Sequence, residues 1–98
     1  MLKPDKARIY ITFGNAFADG LIVLSATDSK EDSDGNRITF THGLPVSVYE
    51  ESDENDNLIA DGVAIRNTYS SYPHIKWLFV LDDRGIRYQC DEIKQVSR

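Results

Sequence analysis

Apolar and polar residues alternate along most of this chain, and the alternation predicts strands. Residues 8–13 place Ile9, Ile11 and Phe13 on one side, with Tyr10 and Thr12 on the other. Residues 37–41 turn Ile38 and Phe40 inward, and residues 44–50 do the same with Val46 and Val48. A period of two with β-branched and aromatic residues marks a half-buried strand. Pro45 cannot donate to a ladder, so it belongs at a strand start or on an edge. Residues 21–26 (LIVLSA) begin apolar on both faces, as a strand covered on two sides would. The strongest pattern runs from His74 to Cys90. Ile75, Trp77, Phe79 and Leu81 share one face, and Lys76, Leu78 and Val80 share the other. After the polar link 82–85 (DDRG), Ile86, Tyr88 and Cys90 alternate with Arg87 and Gln89. The pattern predicts a hairpin that brings the only tryptophan into the core. Cys90 then falls on the inward face as a packing residue.

Turn-rich links separate these runs. Residues 14–20 (GNAFADG) predict a link, or a single helical turn, with Phe17 folding back as a plug. Residues 27–36 and 51–57 are acidic links. Asp61-Gly62 interrupts residues 58–66. A bulge bending one strand around a corner is the preferred reading, because two four-residue arms would make a poor hairpin. Residues 67–73 (NTYSSYP) form a polar loop. Residues 91–96 are too short for a stable helix and predict a 3₁₀ turn that drops Ile93 inward. No stretch of ten residues has helical periodicity. The expected fold is therefore all-β: a small, strongly bent barrel, or a compact sandwich, of about six or seven short antiparallel strands. At most one or two single helical or 3₁₀ turns accompany them. The bent-barrel form is SH3-like in architecture only. The acidic-aromatic patterns of proline-peptide-binding domains are not evident, so no ligand follows from that likeness. A chain of 98 residues is expected to form one β domain spanning residues 1–98, with residues 1–6 as a flexible lead-in.

Charge changes the picture more by its placement than by its total. The net charge is −5. Residues 28–34 carry −3 and residues 50–56 carry −5, which leaves +3 on the rest of the chain. A slightly basic body thus bears two acidic loops. The net charge argues against non-specific nucleic-acid binding, since that affinity comes from neutralising phosphates. No apolar run approaches the ~20 residues of a membrane helix. The start of the chain lacks an apolar signal region, and one cysteine allows no internal disulfide. The expected setting is the cytoplasm, with no membrane partner.

Catalytic and metal signatures fail on their spacing. With Gly35 at the sixth place of a calcium loop, Lys30 occupies the first and Thr41 the twelfth, so two key ligands are missing. A looser cation site would have to combine both acidic loops. His42, His74 and Cys90 lack zinc-type spacing, no serine sits in a nucleophile elbow, and the glycines form no phosphate-cradling run. The expectation is a protein that is not an enzyme and holds no cofactor or metal. Arg66, Tyr69 and Tyr72 stand out as a binding loop, because arginine and tyrosine bring large contact area at modest entropy cost. Glu50, Glu51, Asp53, Glu54 and Asp56 are the acidic binding candidates. Lys76, Arg84 and Arg87 would extend a mildly basic face across the expected hairpin, with Lys76 and Arg87 as cross-strand neighbours. The leading expectation is a non-catalytic module binding another protein through the aromatic loop and the acidic loops. The alternatives are an acidic inhibitor or immunity-type protein covering a basic nucleic-acid-binding surface of its partner, and an RNA-binding barrel. An unpaired edge near Pro45 is where a homodimer would form.

Overall fold

The computed structural model describes residues 3–14, 16–18, 21–53, 56–68 and 72–90. Nine strands follow in order: β1 (Ile9–Tyr10), β2 (Ala16–Ala18), β3 (Leu21–Ser25), β4 (Ser29–Glu31), β5 (Arg37–Thr39), β6 (Pro45–Asp53), β7 (Asp56–Arg66), β8 (Trp77–Leu81) and β9 (Arg87–Tyr88). Seven form one strongly curled half-barrel sheet in the order β1-β6-β7-β8-β3-β2, with β9 also on β7. β4 and β5 form a separate hairpin. The expected all-β, strongly bent architecture is what the chain adopts. One pairing departs from the antiparallel expectation: β1 runs parallel to β6, with Ile9 opposite Val48.

The alternation predicted from sequence decides what is buried. Ile9, Ile11, Phe13, Ile22, Leu24, Phe40, Val46, Val48, Trp77 and Phe79 line the concave side and form one cluster with Ala60 and Ala64. Trp77 and Phe79 are 1% and 0% exposed. Leu78, on the opposite face, is also fully buried, so the start of β8 is covered on both sides. Cys90 is only half-buried, less enclosed than a core packing position implies.

β7 is the longest strand, and its length accounts for the main departure from expectation. β8 and β9 do not pair with each other. β8 lies along one half of β7, from Gly62 opposite Leu81 to Arg66 opposite Trp77. β9 lies along the other half, with Ile59 opposite Arg87 and Leu58 opposite Tyr88. From Leu81 to Arg87 the chain takes six steps while β7 takes three. The link 82–85 is therefore an out-pouching in one interrupted strand. It still closes as a turn: the Gly85 N–H donates to the Asp82 carbonyl at 3.2 Å, and Gly85 takes a positive φ of 65°. Lys76 and Arg87 are not cross-strand neighbours in consequence.

Other links resolve into strands. Residues 14–20 contain β2, which pairs with β3; the Phe17 side chain and its plug role lie outside the description. The first acidic link contains β4, which makes a hairpin with β5. The second is the end of the β6–β7 hairpin, where Asp53 stands opposite Asp56. At Asp61-Gly62 there is neither bulge nor turn, since β7 keeps register with β6 through both residues. Gly62 serves close approach instead: a Cβ there would overlap the Val80 carbonyl. The expected turn at 91–96 lies outside the described residues.

The β4–β5 hairpin spans the open side of the half-barrel. The Ser33 N–H donates to the Arg8 carbonyl at 2.8 Å, and the Arg8 N–H returns to Ser33 Oγ at 3.0 Å. Lys30 Nζ donates to the carbonyls of Tyr10 and Leu24, at 3.0 and 3.4 Å. One ammonium group thereby ties β3 to the end of β1. Residues 3–6, expected as a free lead-in, are also tied down. The Lys3 carbonyl accepts from Gln89 Nε2 at 2.9 Å, Asp5 pairs with Arg8, and Lys6 reaches Asp61. Among the described residues no helix is long and apolar enough to cross a membrane.

Candidate functional site

The last residue of β7 opens onto a cleft of about 430 Å³. Its walls come from four places in the chain: Asp28 after β3, Thr39 and Phe40 at the end of β5, Arg66 and Asn67, and Pro73 with residues 75–77. β7 carries Arg66 into this position because even-numbered residues of that strand face the concave side. Trp77 lies directly opposite on β8. The Arg66 guanidinium sits 4.6 Å from the centre of the Trp77 ring. Such stacking contributes about 0.5–1 kcal/mol at an exposed site. Behind it, Phe40 packs on Trp77 with ring centres 5.9 Å apart.

Hydrogen bonds hold the walls. Trp77 Nε1 donates to Asp28 Oδ1 at 3.1 Å, and Lys76 Nζ reaches Asp28 Oδ2 at 3.4 Å. The indole bond and then the lysine hold the Asp28 carboxyl below its usual pKa. Asn67 Nδ2 donates to the carbonyls of Tyr72 and Ile75, at 3.1 and 2.8 Å, and so shapes the loop. His42 Nδ1 accepts the Arg66 backbone N–H at 3.2 Å. Among the described residues no carboxylate lies within ion-pair distance of the Arg66 guanidinium.

A second polar cluster surrounds Asp61. Its Oδ1 accepts from Ser47 Oγ at 2.7 Å and Arg8 Nη1 at 3.2 Å, and Lys6 Nζ lies 3.4 Å away. Its Oδ2 accepts from Arg87 Nη2 at 2.7 Å and Arg84 Nη2 at 2.8 Å. Burial pushes the Asp61 pKa upward. The Ser47 and Arg87 hydrogen bonds, with the charges of Arg8 and Lys6, outweigh it and hold the carboxyl well below its usual range. Arg8 is 1% exposed and also donates to the carbonyls of Val48 and Ala60. This cluster locks β1, β6, β7 and the out-pouched link together. The expected basic face formed by Lys76, Arg84 and Arg87 is thus divided: Lys76 belongs to the cleft, and both arginines turn to Asp61.

The candidate binding residues divide as well. Arg66 is in the cleft; Tyr72, next in the chain to the lining residue Pro73, is half-exposed with its ring 6.4 Å from that of His74. Tyr69 and Glu54 lie outside the described residues. Asp56 is at the far end of β7, ten residues from Arg66 or roughly 33 Å of extended chain. Glu50 and Asp56 serve the fold: Glu50 Oε1 accepts the Phe13 N–H at 3.0 Å, and Asp56 Oδ1 accepts those of Asn57 and Cys90, at 2.8 and 3.0 Å. Glu51 is exposed, and Asp53 ends β6. The aromatic loop therefore meets the first acidic segment, through Asp28, and stands apart from the second. Asp28 and Lys76 are the cleft residues that sequence reasoning missed as a pair. The one available signal was Asp28 at the head of the first acidic run.

Among the described residues no three His, Cys, Asp or Glu gather as a metal site requires. His42 is beside Arg66, whereas Cys90 is beside Asp56. Comparison with protein-family models, curated proteins and solved structures found no significant match.

Proposed function

We propose that this chain is a non-catalytic interaction module that binds a protein partner in the cleft at the Arg66 end of β7. The observation carrying this reading is the Arg66 guanidinium, stacked on Trp77 at the mouth of an open cleft. A side chain already resting over an aromatic ring loses less freedom on binding, and arginine is among the residues that dominate interface energetics. A small SH3-like barrel with a loop-walled cleft at one end suits that role. We place the module in the cytoplasm on its single cysteine. A homodimer would pair along β6 before Val48, where β1 does not reach.

The test is capture of partners from an extract by the wild-type chain and by Arg66→Ala, with nuclease present. The reading expects a protein retained by the wild type and weakened about 10-fold or more by the substitution. Equal retention by both chains would remove the cleft as the working surface.

The acidic-inhibitor reading draws on one observation, the register that sets Asp53 opposite Asp56. The backbone register thus gathers acidic residues at this hairpin end, where a basic partner would be drawn. Binding of that kind weakens steeply with salt and falls on Glu51→Gln with Asp53→Asn. The RNA-binding reading has less support, because Lys6, Arg8, Arg84 and Arg87 all converge on the Asp61 carboxylate.

A further inference from the structure

We infer that the cleft recognises a carboxylate side chain in an acidic and aliphatic segment of its protein partner, with Arg66 as the clamp. This inference rests on the cleft being the binding surface and adds the chemistry of what enters it.

The first argument is charge. Among the described residues three ionisable groups line the cleft: Arg66, Lys76 and Asp28. Asp28 is matched to Lys76 at 3.4 Å and also accepts the Trp77 indole N–H. One net positive charge is left in the cleft, with both Lys76 and Arg66 acting on Asp28. A single excess charge matches a monoanion. A phosphate monoester carries nearly two negative charges at neutral pH, and a nucleic acid presents a row of them. Neither is matched by one arginine on a chain of net charge −5.

The second argument is shape. Guanidinium is a planar fork whose N–H pairs fit the two oxygens of a carboxylate. The Trp77 ring, 4.6 Å from the guanidinium carbon, limits where that fork can sit, and the Arg66 backbone is held by His42. Pro73 and Ile75 supply apolar wall beside it, which suits aliphatic neighbours of the acid. A volume of about 430 Å³ accommodates a few side chains.

The third argument is the rest of the molecule. The acidic end of the β6–β7 hairpin is ten strand residues from Arg66, beyond the ~10 Å over which exposed charges act in physiological salt. That end does not cancel attraction at the cleft. It repels an acidic segment from the far end and so favours approach at Arg66.

The probe is a blocked pentapeptide of alternating leucine and glutamate, titrated against the full chain. Its glutamine and phosphoserine analogues run in parallel. The Trp77 indole N–H signal and Trp77 fluorescence report binding. The glutamate peptide is expected to shift both, and the glutamine analogue to bind at least about 10-fold more weakly. Arg66→Gln should remove most of the binding. Thr39→Glu, an exposed change on the cleft wall, should weaken it to a similar degree while the unfolding midpoint stays put. Equal binding of the glutamate and glutamine peptides overturns the inference, as does silence of Trp77 at millimolar glutamate peptide. Tighter binding of the phosphoserine peptide overturns it in favour of phosphate. If a partner is captured by the wild type, lost on Arg66→Gln, and not displaced by the glutamate peptide, the cleft stands as the interaction surface and the carboxylate assignment falls.

Discussion

Two residues show how much a single position can carry. Gly62 is needed because β8 passes so close that any Cβ would strike the Val80 carbonyl, and backbone cannot rotate away as a side chain can. Gly62→Ala should therefore cost about 3 kcal/mol or more, read as a lowered denaturant midpoint. Asp61 carries a different load, since it balances cations from four places in the chain. Asp61→Asn leaves Arg8 buried with less counter-charge and should cost about 3 kcal/mol at pH 7. The pH dependence has a definite sign. The folded Asp61 pKa lies below the usual 3.8, so its stabilisation is complete above that value and disappears as pH falls through the folded value. Wild type and Asp61→Asn should differ most near neutrality and converge in strong acid. A gap that persists unchanged at pH 2 would show that the carboxylate charge is not what Asp61 contributes. Neither role was legible in the sequence. Asp61-Gly62 reads locally as turn chemistry, and only the strands on both sides reveal a glycine chosen for space.

At the level of elements, the β4–β5 hairpin is the clasp of the half-barrel. Lys30→Met removes the donor that joins the Tyr10 and Leu24 carbonyls. Amide exchange should quicken locally at Ser33, whose N–H pins the hairpin to Arg8. Global stability should change by only about 1 kcal/mol. Exchange that quickens equally in β7 would show that the hairpin does not open on its own. The sequence hid this element because β4 is polar on both faces and has no alternation to read. The link 82–85 was misread for another reason. An acidic, glycine-ended turn looks the same whether the chain reverses or bulges outward. The length of β7 made the difference, since a strand of eleven residues has ladder positions for both β8 and β9.

For the whole molecule, Trp77 joins core to surface. Its ring packs on Phe40 inside and under Arg66 outside, and its N–H anchors Asp28. Trp77→Ala should cost roughly 3–5 kcal/mol. Domains of this size have about 5–15 kcal/mol in total, so the variant should be partly or wholly unfolded at 37 °C. A melting curve matching the parent would place Trp77 outside the core. Charge also acts at this scale. The basic body inferred from sequence turns largely to Asp61, and among the described residues the cleft keeps one net positive charge, with the acidic hairpin end remote from it.

The sequence by itself determined the strand-forming runs, the inward set of side chains and the all-β class. Those follow from a local property, the period-two exposure of side chains on a pleated backbone. Only the tertiary structure decided which strands pair, because backbone hydrogen bonds are the same for any partner and burial selects among them. It alone decided that Asp28 and Trp77, 49 residues apart, share a hydrogen bond. It also assigned Arg66 and Asp56 to opposite ends of one strand. Convergence of that kind depends on the curl of the sheet and on close approaches such as that of Gly62 to Val80, which no local pattern records.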